Sequence, residues 1–481
     1  MSAPGTGGER FDLVVIGGGS GGLSVASVAG RLGLRVALVE ASGELGGECL
    51  HTGCVPSKAL LRSARVARLM RRGADFGLEA CEPAPDMGAV SRRVHAVVDR
   101  LQAHDDPDRF RSYGVEVIFA AARFLDAHRI AAGDRVLWGR RFVLATGSTP
   151  AVPEVPGLAA AGYWTNENLF DVTEPAGELA VVGGGPVGVE MAQAFRRLGW
   201  TVTLVQRGAR LLPAEDGGAS GVLREALEAE GLTIHTGNKL QEVVPAATRD
   251  ERHALRLADG SEIPAQRILV ATGRHPTTGG LDLEAAGVER TETGAVAVDR
   301  RQRTTARHIY AVGDVCGPYQ YSHLANYQAG VVIQNAVFRL PARADLTALP
   351  RVTFCDPEVA QVGLTAAEAE QRYGDTEVHR ADFADLDRAL AEGEATGFAK
   401  LVFRRGRIIG ATVVGPHAGE LLPQLVQAVR GKLRPKDIIG AVHAYPTLAE
   451  IAKRAVEKYY GERLFRPPVK GLVRWINRLV P

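Results

Sequence analysis

Residues 11–40 read FDLVVIGGGSGGLSVASVAGRLGLRVALVE, and the order of their parts decides the fold. Residues 11–16 form a short apolar run of strand character. Gly17-Gly18-Gly19-Ser20-Gly21-Gly22 follows, residues 23–32 carry helical spacing, and a second apolar run over 35–39 ends at Glu40. Strand, glycine turn, helix and strand make one βαβ unit. In Gly17-x-Gly19-x-x-Gly22 the first glycine permits a tight turn. The second lets backbone approach a pyrophosphate, and the third lets helix and strand pack closely. The helix start, where Ser20 and Gly21 fall, presents free N–H groups to phosphate. Glu40 ends the next strand, where a carboxylate accepts from a ribose hydroxyl.

The same grammar recurs downstream. A strand over 179–182 runs into Gly183-x-Gly185-x-x-Gly188, a helix continues through Arg197, and a strand spans 201–205. Two units of one type imply two dinucleotide sites. The second unit's last strand ends at Gln206-Arg207, with Arg210 nearby and no carboxylate in the ribose position. Glutamine and arginine there suit a 2′-phosphate, which favours NADPH over NADH; the plainer reading is that these arginines are only solvated. Residues 151–157, AVPEVPG, read as a linker into the second unit, and 274–280 as the exit from it. From about residue 349 the texture changes. Strand-like runs at 400–403 and 408–414 alternate with a helical run at 421–429, as in an α+β domain. The expected fold is α/β: two Rossmann-like dinucleotide-binding domains and a C-terminal α+β domain. Residues 1–150 and 276–348 make up one, 151–275 the second and 349–465 the third, with a basic tail over 466–481.

Bulk composition agrees. The chain has 481 residues, 46% hydrophobic and 23% charged, too long for a single core. A net charge of +2 gives no support for a nucleic-acid partner. The first ten residues lack the apolar core of a signal peptide, and no apolar run reaches bilayer length, so a cytoplasmic protein is expected. Five cysteines are too few for a disulfide-stapled secreted fold.

The cysteine-bearing stretch is Gly46-Gly47-Glu48-Cys49-Leu50-His51-Thr52-Gly53-Cys54-Val55-Pro56-Ser57-Lys58. The spacing between Cys49 and Cys54 allows a small loop to close a disulfide. Pro56 suits the first turn of a helix, which places Cys54 at or near its positive end, where a thiolate is stabilised. Lys58 follows one turn on, on the same face. A zinc site would need four ligands, and His51 is the only other candidate close by, so no metal site is expected. A structural disulfide is the other alternative, and a reducing compartment argues against it. Cys81, Cys316 and Cys355 are isolated and read as buried or incidental thiols.

Taken together, these motifs resemble the class I pyridine nucleotide–disulfide oxidoreductases: glutathione reductase, dihydrolipoamide dehydrogenase, mercuric reductase and relatives. The markers are both glycine turns, GGECLHTGCVPSK, Ala145-Thr146-Gly147, Ala271-Thr272-Gly273, and Ile309 through Asp314. The resemblance implies an enzyme with FAD on the first unit, held by Gly17, Gly19, Ser20, Gly21, Gly22, Glu40, Glu48, Lys58, Thr146, Gly147, Asp314 and Ser322. It implies NAD(P)H on the second, at Gly183, Gly185, Gly188, Glu190, Gln206, Arg207 and Gly273. Lys58 would pair with Glu190 beside the flavin. Cys54 would be the thiol next to the flavin and Cys49 the thiol that meets the acceptor. The enzyme would be a homodimer whose active site is shared across subunits.

The sequence departs from the family at one decisive place. Disulfide reductases of this kind carry His-Pro-Thr, then Glu, with the histidine lent by the partner as acid–base. Here the stretch is His443-Ala444-Tyr445-Pro446-Thr447-Leu448-Ala449-Glu450, so tyrosine stands in the histidine's place and Glu450 is kept. A tyrosine, with a pKa about 10 against about 6.5 for histidine, is a poor base at neutral pH. Three readings follow. His443 replaces the base, though it also reads as an interface histidine. Tyr445 donates a proton or contacts a metal, as mercuric reductases use a tyrosine there. Or the acceptor, a quinone or a metal ion, needs no base. The chain ends without the vicinal cysteine pair usual in mercuric reductases, so the nearest likeness is to mercuric-reductase-like bacterial members without those cysteines. The expected function is transfer from NADPH through FAD and the Cys49–Cys54 pair to a disulfide-type acceptor, small molecule or protein. The alternatives are a metal-ion or quinone reductase, and a membrane-associated flavin redox sensor of low turnover.

In the tail, Val469, Leu472, Val473, Ile476 and Val480 share one helical face, and Lys470, Arg474 and Arg478 the opposite one. Such a helix lies on an anionic membrane, which would make the protein peripheral at the inner face, or docks on the protein's own body with its basic face solvated. The second is the commoner outcome and is the one expected.

Overall fold

The computed structural model describes residues 8–248 and 251–479. Residues 1–7, part of the stretch read for a signal peptide, and Val480 of the tail face lie outside them. The first sheet is all parallel, in the spatial order Ile309–Ala311, Phe142–Leu144, Leu13–Ile16, Val36–Glu40, Val115–Phe119. Leu13–Ile16 is buried at every position, as a strand covered on both faces requires. Its register, Leu13 opposite Val36 and Ile16 opposite Leu144, sets the glycine turn where the strand order reverses. That crevice is where open α/β sheets bind ligands.

The apolar run expected over 11–16 is divided. Phe11 belongs to the strand Glu9–Phe11 of a smaller neighbouring sheet, and Asp12 breaks the run by accepting the Arg35 N–H at 3.1 Å. The expected helix begins earlier than its apolar spacing, at Ser20, and runs Ser20–Arg31.

The second parallel sheet repeats the plan in the order Thr233–Thr236, Thr201–Gln206, Glu178–Val182, Arg267–Val270. The helix Pro186–Arg197 follows its glycine turn. The exit opens on a strand: Arg274–Pro276 pairs antiparallel with Ser148–Pro150, the residues just ahead of the linker, so the chain passes between the sheets beside a two-stranded strap. The third unit is an antiparallel sheet in the order Pro350–Thr353, Glu358–Gly363, Arg407–Gly415, Phe398–Arg404, Glu377–Asp382. Its buried face packs Phe383, Phe403, Leu401 and Val413 against Ile451, Val456 and Tyr459 of the helix Glu450–Leu464. The helical run expected over 421–429 is two helices, Ala418–Leu421 and Pro423–Val429. The break falls at Pro423, which has no N–H to continue the first helix.

The tail is the helix Pro467–Leu479, and none of its described residues is buried. It does not dock on the body of its own chain, contrary to the expectation, because no element of the single chain covers its apolar face.

Candidate active site

Each glycine turn is built by two close approaches. Gly17 and Gly183 have φ of 108° and 119°, and a Cβ on either would lie 2.3 or 2.2 Å from the carbonyl oxygen of Ala145 or Ala271. The two Ala-Thr-Gly segments are thus the backbone against which the turns are pressed. A Cβ on Gly22 or Gly188 would sit 1.9 Å from the carbonyl oxygen of Gly17 or Gly183, so only glycine lets the helix come this close to its own turn. Gly19 and Gly185 are open by contrast: a Cβ on Gly19 meets nothing nearer than 3.8 Å, and one on Gly185 meets nothing within 4 Å. Both line a cavity of about 1210 Å³ that also contains Cys49, Cys54, Lys58 and Glu190. A bared turn at the reversal of strand order, ahead of a helix N-terminus, fits a dinucleotide pyrophosphate. FAD fits the first turn, where Ser20, Gly21, Lys58, Gly147 and Asp314 also line the cavity.

The carboxylate of Glu40 accepts from Gly18 N–H at 2.5 Å and Ser42 N–H at 2.8 Å. Gln206 copies the first of these contacts, its Oε1 accepting from Gly184 N–H at 3.1 Å. The two strand ends are therefore geometric equivalents with different charge. Arg207 and Lys239 stand exposed at the second rim of the cavity, and Gly273 lines it too. Thr146 does not face the cavity; its hydroxyl donates to the Thr277 carbonyl at 2.6 Å.

The thiols sit where three helices begin. Cys54 is the first residue of Cys54–Arg71, Ser20 of Ser20–Arg31 and Ser322 of Ser322–Val332. Each N-terminus carries roughly half a positive charge. Cys49 and Cys54 are unbridged, their sulfurs share a hydrogen bond, and Cys54 Sγ lies 3.3 Å from Ser322 Oγ. The hydrogen bond from Cys54, helped by the hydroxyls of Ser322 and Ser20, holds Cys49 down to about 6 against the burial that opposes it. The same bond, with burial, pushes Cys54 well up, while Lys58 pulls it down. The pair thus gives up one proton easily and keeps the other. The positive helix end at Cys54 and the hydrogen bond between the sulfurs together favour one thiolate within the pair.

Lys58 Nζ binds Glu190 Oε2 at 2.8 Å, and Glu190 Oε1 accepts from Phe354 N–H at 2.8 Å. The Phe354 ring centroid lies 4.5 Å from Nζ. Lys58 reaches Glu190 because it follows Cys54 by one helical turn, and Glu190 stands in the first turns of Pro186–Arg197.

A polar chain that the sequence reading missed runs along the other wall. Arg274 binds Glu48 at very short range and donates to Ser148 Oγ at 2.8 Å, while Ser148 Oγ donates to Asp314 Oδ2 at 2.7 Å. Asn166 donates to Glu48 Oε1 at 3.0 Å. Burial pushes the Glu48 carboxyl up to about 7, although Arg274 pulls it down, and burial raises Asp314 as well. Arg274 directly follows Ala271-Thr272-Gly273, a signal that was legible; nothing in sequence marks Asn166.

Tyr445, His443 and Glu450 are not brought to the thiols; none of them lines the cavity. Tyr445 is 69% exposed, and its hydroxyl donates to Asp387 Oδ2 at 2.7 Å. His443 is half-buried, with Nδ1 3.0 Å from the Ala441 carbonyl oxygen. Glu450 opens the helix Glu450–Leu464. Among the described residues no cluster of His, Cys, Asp and Glu is arranged to hold a metal ion.

Comparison with known proteins converges on the same reading. The pattern described as pyridine nucleotide-disulphide oxidoreductase matches residues 11–336, and that of the family's dimerisation domain matches 349–456. A mercuric reductase of Acidithiobacillus ferrooxidans is 36% identical over 462 residues, 94% of this chain and 83% of that one. A mercuric reductase of Staphylococcus aureus is 34% identical over 92% of this chain and 82% of its own. A dihydrolipoyl dehydrogenase of Thermus scotoductus is 35% identical over 95% and 99%. Among solved structures, the Cu(II) complex of the HOCl-induced flavoprotein disulfide reductase RclA from Escherichia coli shares the fold, with a TM-score of 0.84 at 24% identity over 94% of this chain and 99% of that one. On its turns, its thiol pair and these matches, the chain belongs to the pyridine nucleotide-disulphide oxidoreductases.

Proposed function

We propose that the protein takes electrons from NADPH and delivers them through FAD and the Cys49–Cys54 pair to a disulfide-type acceptor. The observation that carries this is the acidic thiol pair at three helix N-termini, in one cavity with both bared glycine turns. FAD bound on the first turn supplies the two-electron step between nicotinamide and sulfur. Gly19, Ser20 and Glu40 would hold it at the adenosine and pyrophosphate end, and Lys58 and Asp314 nearer the thiols. Glu190 fixes Lys58 at 2.8 Å, so a positive charge stays in place beside the sulfurs. With the pair reduced, the Cys49 thiolate attacks a disulfide and forms a mixed disulfide. Cys54 then displaces it, closing Cys49–Cys54 and releasing the second thiol.

NADPH is favoured because Gln206 removes the carboxylate that would repel a 2′-phosphate, and Arg207 and Lys239 stand at the same rim. Tyr445 supports a second reading of the acceptor. Its bond to Asp387 holds the phenol above its usual range, so it stays protonated at neutral pH and does not act as a base. Soft metal ions or quinones need no base there.

Anaerobic titration of the FAD-loaded protein with each nicotinamide tests the route. NADPH should reduce it and raise a long-wavelength thiolate–flavin band, and NADH should do so at least about tenfold less efficiently, a difference of roughly 1.4 kcal/mol. Cys49→Ser should abolish turnover with disulfides; retained quinone or metal turnover in that variant assigns those acceptors to the second reading. Protein that refuses FAD would falsify both.

A further inference from the structure

The helix Pro467–Leu479 follows Glu450–Leu464 and leaves Leu472, Val473, Trp475, Ile476 and Leu479 between 44% and 60% exposed. Val469, Leu472, Val473, Ile476 and Leu479 share one face at helical spacing, Trp475 stands at its edge, and Lys470, Arg474 and Arg478 line the opposite face. Leu464 and Phe465, 55% and 64% exposed, extend the apolar surface back to the preceding helix. Single exposed apolar residues are ordinary; a continuous stripe along a whole helix marks a contact surface.

Charge selects what covers it. From Arg463 to the last residue there is no Asp or Glu. Arg466, Lys470, Arg474 and Arg478 form no ion pair among the described residues, whereas Arg135, Arg197 and Arg351 of the body are all paired. A second copy of this chain, with a net charge of +2, offers such a segment no excess of negative charge. A bilayer with acidic lipids offers both things the helix lacks, hydrocarbon for one face and phosphates for the other. Thirteen residues make a helix about 20 Å long, and no helix among the described residues is long and apolar enough to cross a membrane. We propose that Pro467–Leu479 is a peripheral anchor lying in the headgroup plane of an anionic membrane, with Leu472 and Ile476 toward the acyl chains and the cations toward lipid phosphates.

The test is co-sedimentation of the full-length, FAD-loaded protein with vesicles of phosphatidylcholine alone or mixed with phosphatidylglycerol. Binding should be at least roughly tenfold stronger to the anionic vesicles and fall with added salt. Leu472→Asp with Ile476→Asp should abolish it, and Lys470→Gln with Arg474→Gln should reduce it by a similar factor. FAD content and NADPH oxidation in solution should stay unchanged, because the helix touches no part of the cavity. Equal pelleting with neutral vesicles, or none with either, overturns the anchor. So does sedimentation velocity in which the Asp pair lowers the oligomeric state of a parent that ignores vesicles, which would assign the face to a second copy.

Discussion

Cys49 and Cys54 differ by environment and not by kind. One accepts and one donates in the hydrogen bond they share, and the helix ends around them favour the charged form of whichever sulfur is free of its proton. In the reduced protein, alkylation by iodoacetamide should follow a midpoint near the value of about 6 set for Cys49, against roughly 8.5 for an ordinary thiol. The sign follows from the nucleophile: below the midpoint the thiol is protonated and slow, above it the thiolate reacts at a plateau rate. Cys54→Ala removes the largest lowering influence and should move the midpoint upward; an unmoved midpoint would show that the bond between the sulfurs does not set it. Much at this scale was legible in the sequence, because the cysteine spacing, Pro56 and Lys58 are local features of one short stretch. The Glu48–Arg274 contact was not, because its partners are 226 residues apart.

At the scale of the element, each glycine turn, its helix and the Ala-Thr-Gly segment behind it form one packed unit, built twice. The third glycine is where it tolerates least. Gly22→Ala would drive a methyl into the Gly17 carbonyl oxygen, and Gly188→Ala would do the same at Gly183. A contact at 1.9 Å moves the helix N-terminus away from its phosphate position. Gly22→Ala should therefore yield protein deficient in flavin by absorbance. Gly188→Ala should keep its flavin and raise KM for NADPH by at least about tenfold, or 1.4 kcal/mol. Normal flavin content in the first variant, or flavin loss in the second, would break the assignment of the two turns. The strap of Ser148–Pro150 against Arg274–Pro276 belongs to this scale too. Arg274–Pro276 reads only as the exit in the sequence and nothing there singles out Ser148–Pro150, because three-residue strands carry too few residues to show a period.

The whole molecule is joined by a buried charge network. Arg197, 5% exposed, binds Glu230 at 2.6 Å and Asp356 at 2.9 Å, and Arg68 reaches the same Asp356 at 2.5 Å. Gln193 clasps the backbone of Asp356 from both sides, at 2.6 and 2.7 Å. The network spans the thiol helix Cys54–Arg71, the second turn's helix Pro186–Arg197 and the loop carrying Phe354, whose N–H fixes Glu190. Arg197→Met leaves the Glu230 and Asp356 carboxylates with Arg68 as their remaining guanidinium, at a cost of up to about 3–5 kcal/mol. A urea titration followed by flavin release should show that loss, and an unshifted midpoint would mean the lobes are held elsewhere. The same scale sets the place of Tyr445: it is exposed, lies outside the cavity of its own chain and belongs to the dimerisation domain matched over 349–456.

By itself the sequence determined the two βαβ units, the change of texture near residue 349 and the thiol motif, because short-range periodicity, turn chemistry and spacing are written in consecutive residues. Only the tertiary structure decided that the helix starts at Ser20 and Ser322 join that of Cys54 around the thiols, that Arg274 bridges Glu48 and Ser148, and that the tail's apolar face stays uncovered. Hydrogen-bond direction, desolvation and coverage all depend on groups that meet only when distant segments pack, and no local pattern encodes them.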